Sequence, residues 1–252
     1  MKEKIYLWAH KEGIQNNRWG LPKESKISPA EACRYLGIEN IIFVREFGKP
    51  APEEYEKYAD SFRNLSKVIW SVVGAGCSYE EEDITRVLEL KKKYKNITGA
   101  IMDDFFAKGE KLLFTPRQIT EIKEKLHGSS LDLWVVLYQH QLDLPVREYL
   151  ERFDLITYWV WKSEGIKELE KCFDRFCEIV PEKRKVLGIY MWDYGNANRM
   201  SFDLFKKECE IGFKWLKEGR IEGIIFLASC IVDLGLNSVE YVKRVMADMN
   251  NA

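Results

Sequence analysis

Two adjacent carboxylates, Asp103 and Asp104, end the apolar run GAIMDDFF at 99–106. A carboxylate is costly to bury unless it is paired or put to use. Two acids a few ångströms apart raise one pKa of the pair, so one proton is kept toward neutrality and the pair offers both an acid and a base. That is the equipment for general acid/base cleavage. Successive strand residues point to opposite faces. Both acids therefore meet one ligand only where the strand ends and the backbone turns.

The run is the fourth of eight short stretches that are rich in β-branched and aromatic residues and almost continuously apolar. They are IYLWAH (5–10), NIIFVREF (40–47), KVIWSVVG (67–74), ITGAIMDDF (97–105), LDLWVVLYQHQ (131–141), DLITYWVWK (154–162), KVLGIYMWDYG (185–195) and IEGIIFLAS (221–229). Such runs read as parallel strands covered on both faces. Helical patterns separate them. SPAE (28–31) and TPRQ (115–118) each combine a hydroxyl cap, Pro at the first helical position and Glu or Gln three residues after the cap. SYEEEDITRVLELKKKY (78–94) and SFDLFKKECEIGFKWLKEG (201–219) are long amphipathic patterns, the second closed by Gly219. The fifth helix is expected over 145–153, and the last begins near Ser238. Eight such alternations in 252 residues predict a single (β/α)8 TIM barrel spanning 1–252. An open doubly wound sheet would carry a Gly-rich turn after its first strand; here that position reads WAHKEG.

In a barrel of this kind the site lies at the C-terminal strand ends. The first strand ends at His10, the second at Arg45 and Glu46, and the third at the GAG turn, 74–76. The fourth supplies Asp103 and Asp104, the expected catalytic pair. The fifth supplies Tyr138, Gln139 and His140, the sixth Trp159, Trp161 and Lys162, and the seventh Trp192, Asp193 and Tyr194. Carboxylates, amides and strand-end Trp together suit a carbohydrate: aromatic faces stack on pyranose rings while polar groups bond the hydroxyls. Each residue also has a plainer role. Asp103 and Asp104 would serve as helix caps or partners of Arg45, Trp159 and Trp161 as barrel filling, and His10 and His140 as satisfied hydrogen-bonding groups. Asp193 has the opposite parity to Tyr190, Trp192 and Tyr194 and would face the helices. If only one Asp points inward, its partner comes from Glu46, Asp193 or Glu164.

Composition narrows the partners. The formal net charge of −1 lacks the basic footprint of a nucleic-acid binder, and no apolar run approaches membrane-spanning length. Six scattered cysteines without a CxxC, and three histidines, imply neither a thiolate metal site nor a His-rich one, so no metal or cofactor is expected. They also favour a reduced compartment. The N-terminus enters strand pattern by Ile5, leaving no room for a signal peptide in the chain as given. A cytoplasmic location is the expectation for the chain as given, and a secreted or periplasmic one if a leader has been removed. Oligomeric state is not legible. The long first loop and the AKGEKLLF stretch (107–114) are candidates for lids or oligomer contacts.

A Gly, apolar residues and then paired acids at the end of a fourth barrel strand resemble the TIM-barrel glycoside hydrolases. Chitinase-type enzymes end that strand on alternating acids; here Ile101 and Phe105 occupy two of those places. The O-linked N-acetylglucosaminidases end it on adjacent Asp residues, to which Asp103-Asp104 is similar in spacing. The resemblance implies that one Asp orients the substrate's acetamido group while its neighbour acts as acid/base. The leading expectation is thus hydrolysis of a glycosidic bond. Lys162 at the sixth strand end offers a Schiff-base lyase of the class I aldolase kind, given desolvation by its WVW neighbourhood. A carbohydrate-binding barrel without turnover is a further alternative. A divalent ion on Glu46, Asp104 and His140 is the weakest, since no spacing supports it.

Overall fold

The structure, a computed structural model, describes residues 1–107 and 112–250, so four residues of the AKGEKLLF stretch lie outside the description. Eight parallel strands close in sequence order, with β8 pairing back onto β1. They are β1 (Ile5–Ala9), β2 (Asn40–Phe43), β3 (Lys67–Val73), β4 (Ile97–Met102), β5 (Asp132–Tyr138), β6 (Leu155–Trp159), β7 (Arg184–Tyr190) and β8 (Gly223–Leu227). The helices between them are α1 (Pro29–Leu36), α2 (Tyr55–Ser61), α3 (Asp83–Lys93), α4 (Pro116–His127), α5 (Arg147–Leu150), α6 (Leu169–Ile179), α7 (Phe202–Lys217) and α8 (Asn237–Asn250). This is the (β/α)8 barrel the alternation predicts. No helix among the described residues is long and apolar enough to cross a membrane.

Local chemistry sets the helix starts. Ser28 and Thr115 each accept the backbone N–H three residues on, and Glu31 and Gln118 return the bond to the cap. The third helix departs from its sequence pattern. It begins at Asp83 because the Asp83 carboxylate takes the N–H of Glu80 at 2.9 Å, and Arg45 binds both acids at 2.8 Å. Those bonds hold 80–82 as a turn and spend Arg45 outside the barrel.

The barrel interior is aromatic. Tyr6 packs edge-on to Trp134 and Trp8 edge-on to Trp159, with ring centroids 5.5 and 5.3 Å apart. Trp159 is fixed by an Nε1–H bond to Thr157 Oγ1 at 2.8 Å. It fits because its register partner on β7 is Gly188. A Cβ on Gly188 would lie 2.1 Å from the indole.

One buried group is out of place. Glu208, on the inward face of α7, is wholly buried, and neither carboxylate oxygen has a hydrogen-bond partner among the described residues. Burial pushes its pKa well above the usual carboxyl value of 4.5. The native state therefore binds this proton more tightly than the unfolded chain, and stability falls as pH rises past the unfolded value. Glu208→Met, which keeps the volume and removes the polar oxygens, is expected to stabilise the fold by about 1–3 kcal/mol. Thermal unfolding at pH 5 and pH 8 checks this, the gain being larger at pH 8.

Candidate active site

The loops beyond the C-terminal strand ends enclose a cavity of about 820 Å³. Asp103 and Asp104 both line it. The backbone turns at Asp104, whose φ of +50° is left-handed, and this brings two consecutive side chains onto one ligand space. Asp is one of the few non-Gly residues that visit that conformation, and here the Asp103 carboxylate holds the Asp104 N–H.

The two acids have different surroundings. Asp103 is 5% exposed, and one of its oxygens accepts the Asp104 N–H at 2.8 Å. Burial first, then the neighbouring charge of Asp104, then that of Glu46 raise its pKa well above the ordinary 3.8, against the pull of that single N–H. Asp104 is half-buried and accepts with both oxygens, from Gly76 N–H at 2.8 Å and from the Tyr138 hydroxyl at 2.9 Å. Asp103 is thus placed to hold a proton while Asp104 is held as an acceptor.

A third carboxylate comes from the loop after β2. Glu46 lines the cavity and accepts from Gln15 Nε2 at 3.2 Å. Gln15 in turn accepts the Tyr194 hydroxyl at 2.8 Å, which ties the first loop to the seventh. His10 Nδ1 lies 3.6 Å from Glu46 but 3.0 Å from the Val44 carbonyl, to which it donates. Its Nε2 accepts from Trp8 Nε1–H at 3.1 Å. An indole N–H only donates, so with Nε2 accepting and Nδ1 donating both ring nitrogens are engaged and His10 is a positioned part of the wall.

The remaining walls are aromatic. Tyr138, Trp159, Trp161, Tyr190 and Tyr194 line the cavity, with Trp19 from the first loop. Trp161 meets Trp19, Tyr138 and Tyr190 edge-on at 6.1, 5.9 and 5.7 Å. His140 stacks on Tyr138 at the rim, with centroids 5.5 Å apart, and its pKa is lowered by desolvation against the opposing charge of Asp104.

Several sequence-predicted residues lie elsewhere. Arg45 points away, to Asp83 and Glu80, because those acids satisfy its guanidinium. Gln139 does not line the cavity; its Nε2 donates to the Gly165 carbonyl at 3.2 Å. Trp192 is buried and donates from Nε1 to the Trp19 carbonyl at 2.8 Å, so it secures the first loop rather than facing the cavity. Asp193 caps its own loop, accepting from the N–H and side-chain amide of Asn196. Glu164 is exposed and also receives the Asn196 amide, so of the three candidate partner acids Glu46 alone lines the cavity. Lys162 is exposed and outside the lining, without the desolvation a Schiff-base lysine requires. Glu46, Asp104 and His140 do not form a group of metal-ligand spacing. Among the described residues one group does, His127, Asp132 and Asp154 at the opposite end of the barrel, where Lys123 and Arg184 already pair with the two acids.

Gln15, Trp19, Phe47, Gly76 and Tyr190 line the cavity without having been singled out as site residues from sequence. Parity along β7 pointed to Tyr190. The loop residues gave no signal beyond a Trp in a long polar loop and glycines in a turn.

The comparisons with known proteins agree with this geometry at the level of fold. No family model and no curated protein matches the chain. Among solved structures, active domain 2 of a chitinase from Pyrococcus furiosus superposes with a TM-score of 0.62 at 12% identity, covering 99% of this chain and 96% of that one. A chitinase from Chromobacterium violaceum gives 0.55 at 11% identity, covering 96% and 98%. The tryptophan synthase A-subunit of Pyrococcus furiosus gives 0.53 at 13% identity, covering 99% and 98%. The chain is a (β/α)8 barrel of the shape shared by these proteins. Within that class it is similar, at low identity, to chitinase-type barrels, and the likeness is one of fold.

Proposed function

We propose that the protein cleaves a glycosidic bond, with Asp103 as general acid and Asp104 as the carboxylate facing the reacting carbon. The observation that supports this most strongly is the unequal acid pair in an aromatic cavity: Asp103 is buried, which raises its pKa, and Asp104 is fixed by Gly76 and Tyr138. Asp103 gives its proton to the glycosidic oxygen as the bond to the anomeric carbon breaks, and the leaving alcohol departs neutral. The Asp104 carboxylate faces the positive charge that develops on the sugar. Attacking water returns a proton to Asp103. Trp161, Tyr190 and Tyr194 offer faces and edges to the ring.

A panel of p-nitrophenyl glycosides, N-acetylhexosaminides included, tests the reading. Release of p-nitrophenol from at least one sugar is the expected result. Oligosaccharide binding by calorimetry, with no product after long incubation, would replace it with a carbohydrate-binding barrel without turnover.

A further inference from the structure

Phe47 is not accounted for by the fold. Among the described residues four large apolar side chains are exposed, and Phe47 is the most exposed of them at 52%. It is also the one that lines the cavity. Its backbone is left-handed, with φ +49°, and the following Gly48 has φ +71°. Glu46 and Lys49 close this two-residue turn through two backbone hydrogen bonds of 2.9 Å. A turn with both central φ positive favours Asn-Gly or Asp-Gly, and a bulky residue at its first position is a steric outlier.

Trp19 sets the contrast. It too is left-handed, at φ +54°, but its ring packs against Trp161 and Tyr194 and its carbonyl is held by Trp192. Packing offsets that strain. The Phe47 ring has one cation–π contact, the exposed Arg18 guanidinium 4.1 Å from its centroid, and stays half in solvent. Unrepaid backbone strain beside a site points to a role there. The ring's surroundings name the role. Glu46 precedes it, the Ala75 N–H bonds the Arg45 carbonyl at 2.9 Å, and the next residue, Gly76, holds Asp104 through its own N–H; Glu46, Phe47, Ala75, Gly76 and Asp104 all line the cavity. A ring on Phe47 therefore belongs to the same ligand as the acid pair.

We infer that Phe47 is an outer subsite that stacks the ring of the leaving group, so the substrate carries a second ring, a sugar or an aryl group, beyond the bond that breaks. This rests on the glycosidase reading and adds the kind of leaving group to it. Arg18 holds the phenyl ring in place, and the ring receives the apolar face of a pyranose or an aromatic aglycone.

Phe47→Asn puts the residue that the turn favours in place of the ring. The probes are p-nitrophenyl and methyl pairs of β-N-acetylglucosaminide, β-glucoside, β-galactoside and β-xyloside, with binding measured by calorimetry on Asp103→Asn protein so that turnover does not interfere. The p-nitrophenyl member is expected to bind roughly tenfold more tightly than its methyl partner. In the double variant with Phe47→Asn that preference disappears, while the melting temperature stays level or rises. Phe47→Tyr, which keeps the ring, keeps the preference. An undiminished preference in the Asn variant overturns the subsite and leaves the glycosidase reading standing. A melting temperature lowered by several degrees also overturns it, since Phe47 would then be structural. If no member of the panel binds, both readings fall together.

Discussion

Asp103→Asn is expected to reduce turnover on the order of 10³-fold, the scale of losing a positioned general acid, while making the protein more stable at neutral pH. The two effects share a cause. Burial and the charges of Asp104 and Glu46 raise the native pKa of Asp103 above the ordinary 3.8. The contribution of this carboxyl to stability is complete below the unfolded value and drains away as pH rises through the native one. Asn has no proton to lose, and its amide oxygen still accepts the Asp104 N–H. The variant should therefore melt above the wild type at pH 8, with the difference shrinking at pH 4. A purely structural Asp103 would give the stability change without the loss of rate. Initial rates and thermal melts on the same samples separate the two.

Gly188→Ala is expected to be among the most damaging single substitutions in the core. The added Cβ would sit 2.1 Å from the Trp159 indole, well inside contact distance. Trp159 has little freedom to give way: Thr157 holds its Nε1, and Trp8 and Tyr190 pack against it with centroids 5.3 and 5.1 Å away. Overpacking of a close-packed interior costs about 3 kcal/mol at such a site. For a domain of this size that lowers the melting temperature by roughly 6–12 °C. Circular dichroism melts check the figure. Trp159→Leu in the Gly188→Ala background should recover part of the loss, because it removes the ring that the methyl strikes.

The barrel was legible because each apolar run is followed by a helical pattern, two of them with a capped start. IYLWAH and KVLGIYMWDYG hold β1 and β7 where the pattern assigns them, the strands ending at Ala9 and Tyr190 and the rest of each run turning into the loop, and SPAE and TPRQ start helices through the bonds their spacing predicts. The rim was legible where strand parity still applies. Trp159, Trp161 and Tyr138 alternate inward along β5 and β6 and their extensions, and all three reach the cavity. Parity stops at the first turned residue. Asp104 follows Asp103 into the same space through a left-handed φ that no run of residue types encodes. Arg45 was misplaced for a related reason: the acids that draw it outward, Glu80 and Asp83, lie in the next loop and helix, and pairing across that distance leaves no trace in spacing. Gln15 and Phe47 were missed because loop residues become wall only once the loop has folded over the strand ends.

The most direct test is the pH dependence of kcat/KM for wild type and Asp103→Asn, on a p-nitrophenyl glycoside that the wild type hydrolyses. The wild-type rate is predicted to fall on the alkaline side as Asp103 gives up its proton, and the residual rate of the variant to lack that limb. Equal rates for the two proteins across the pH range would contradict the assignment of Asp103 as the acid.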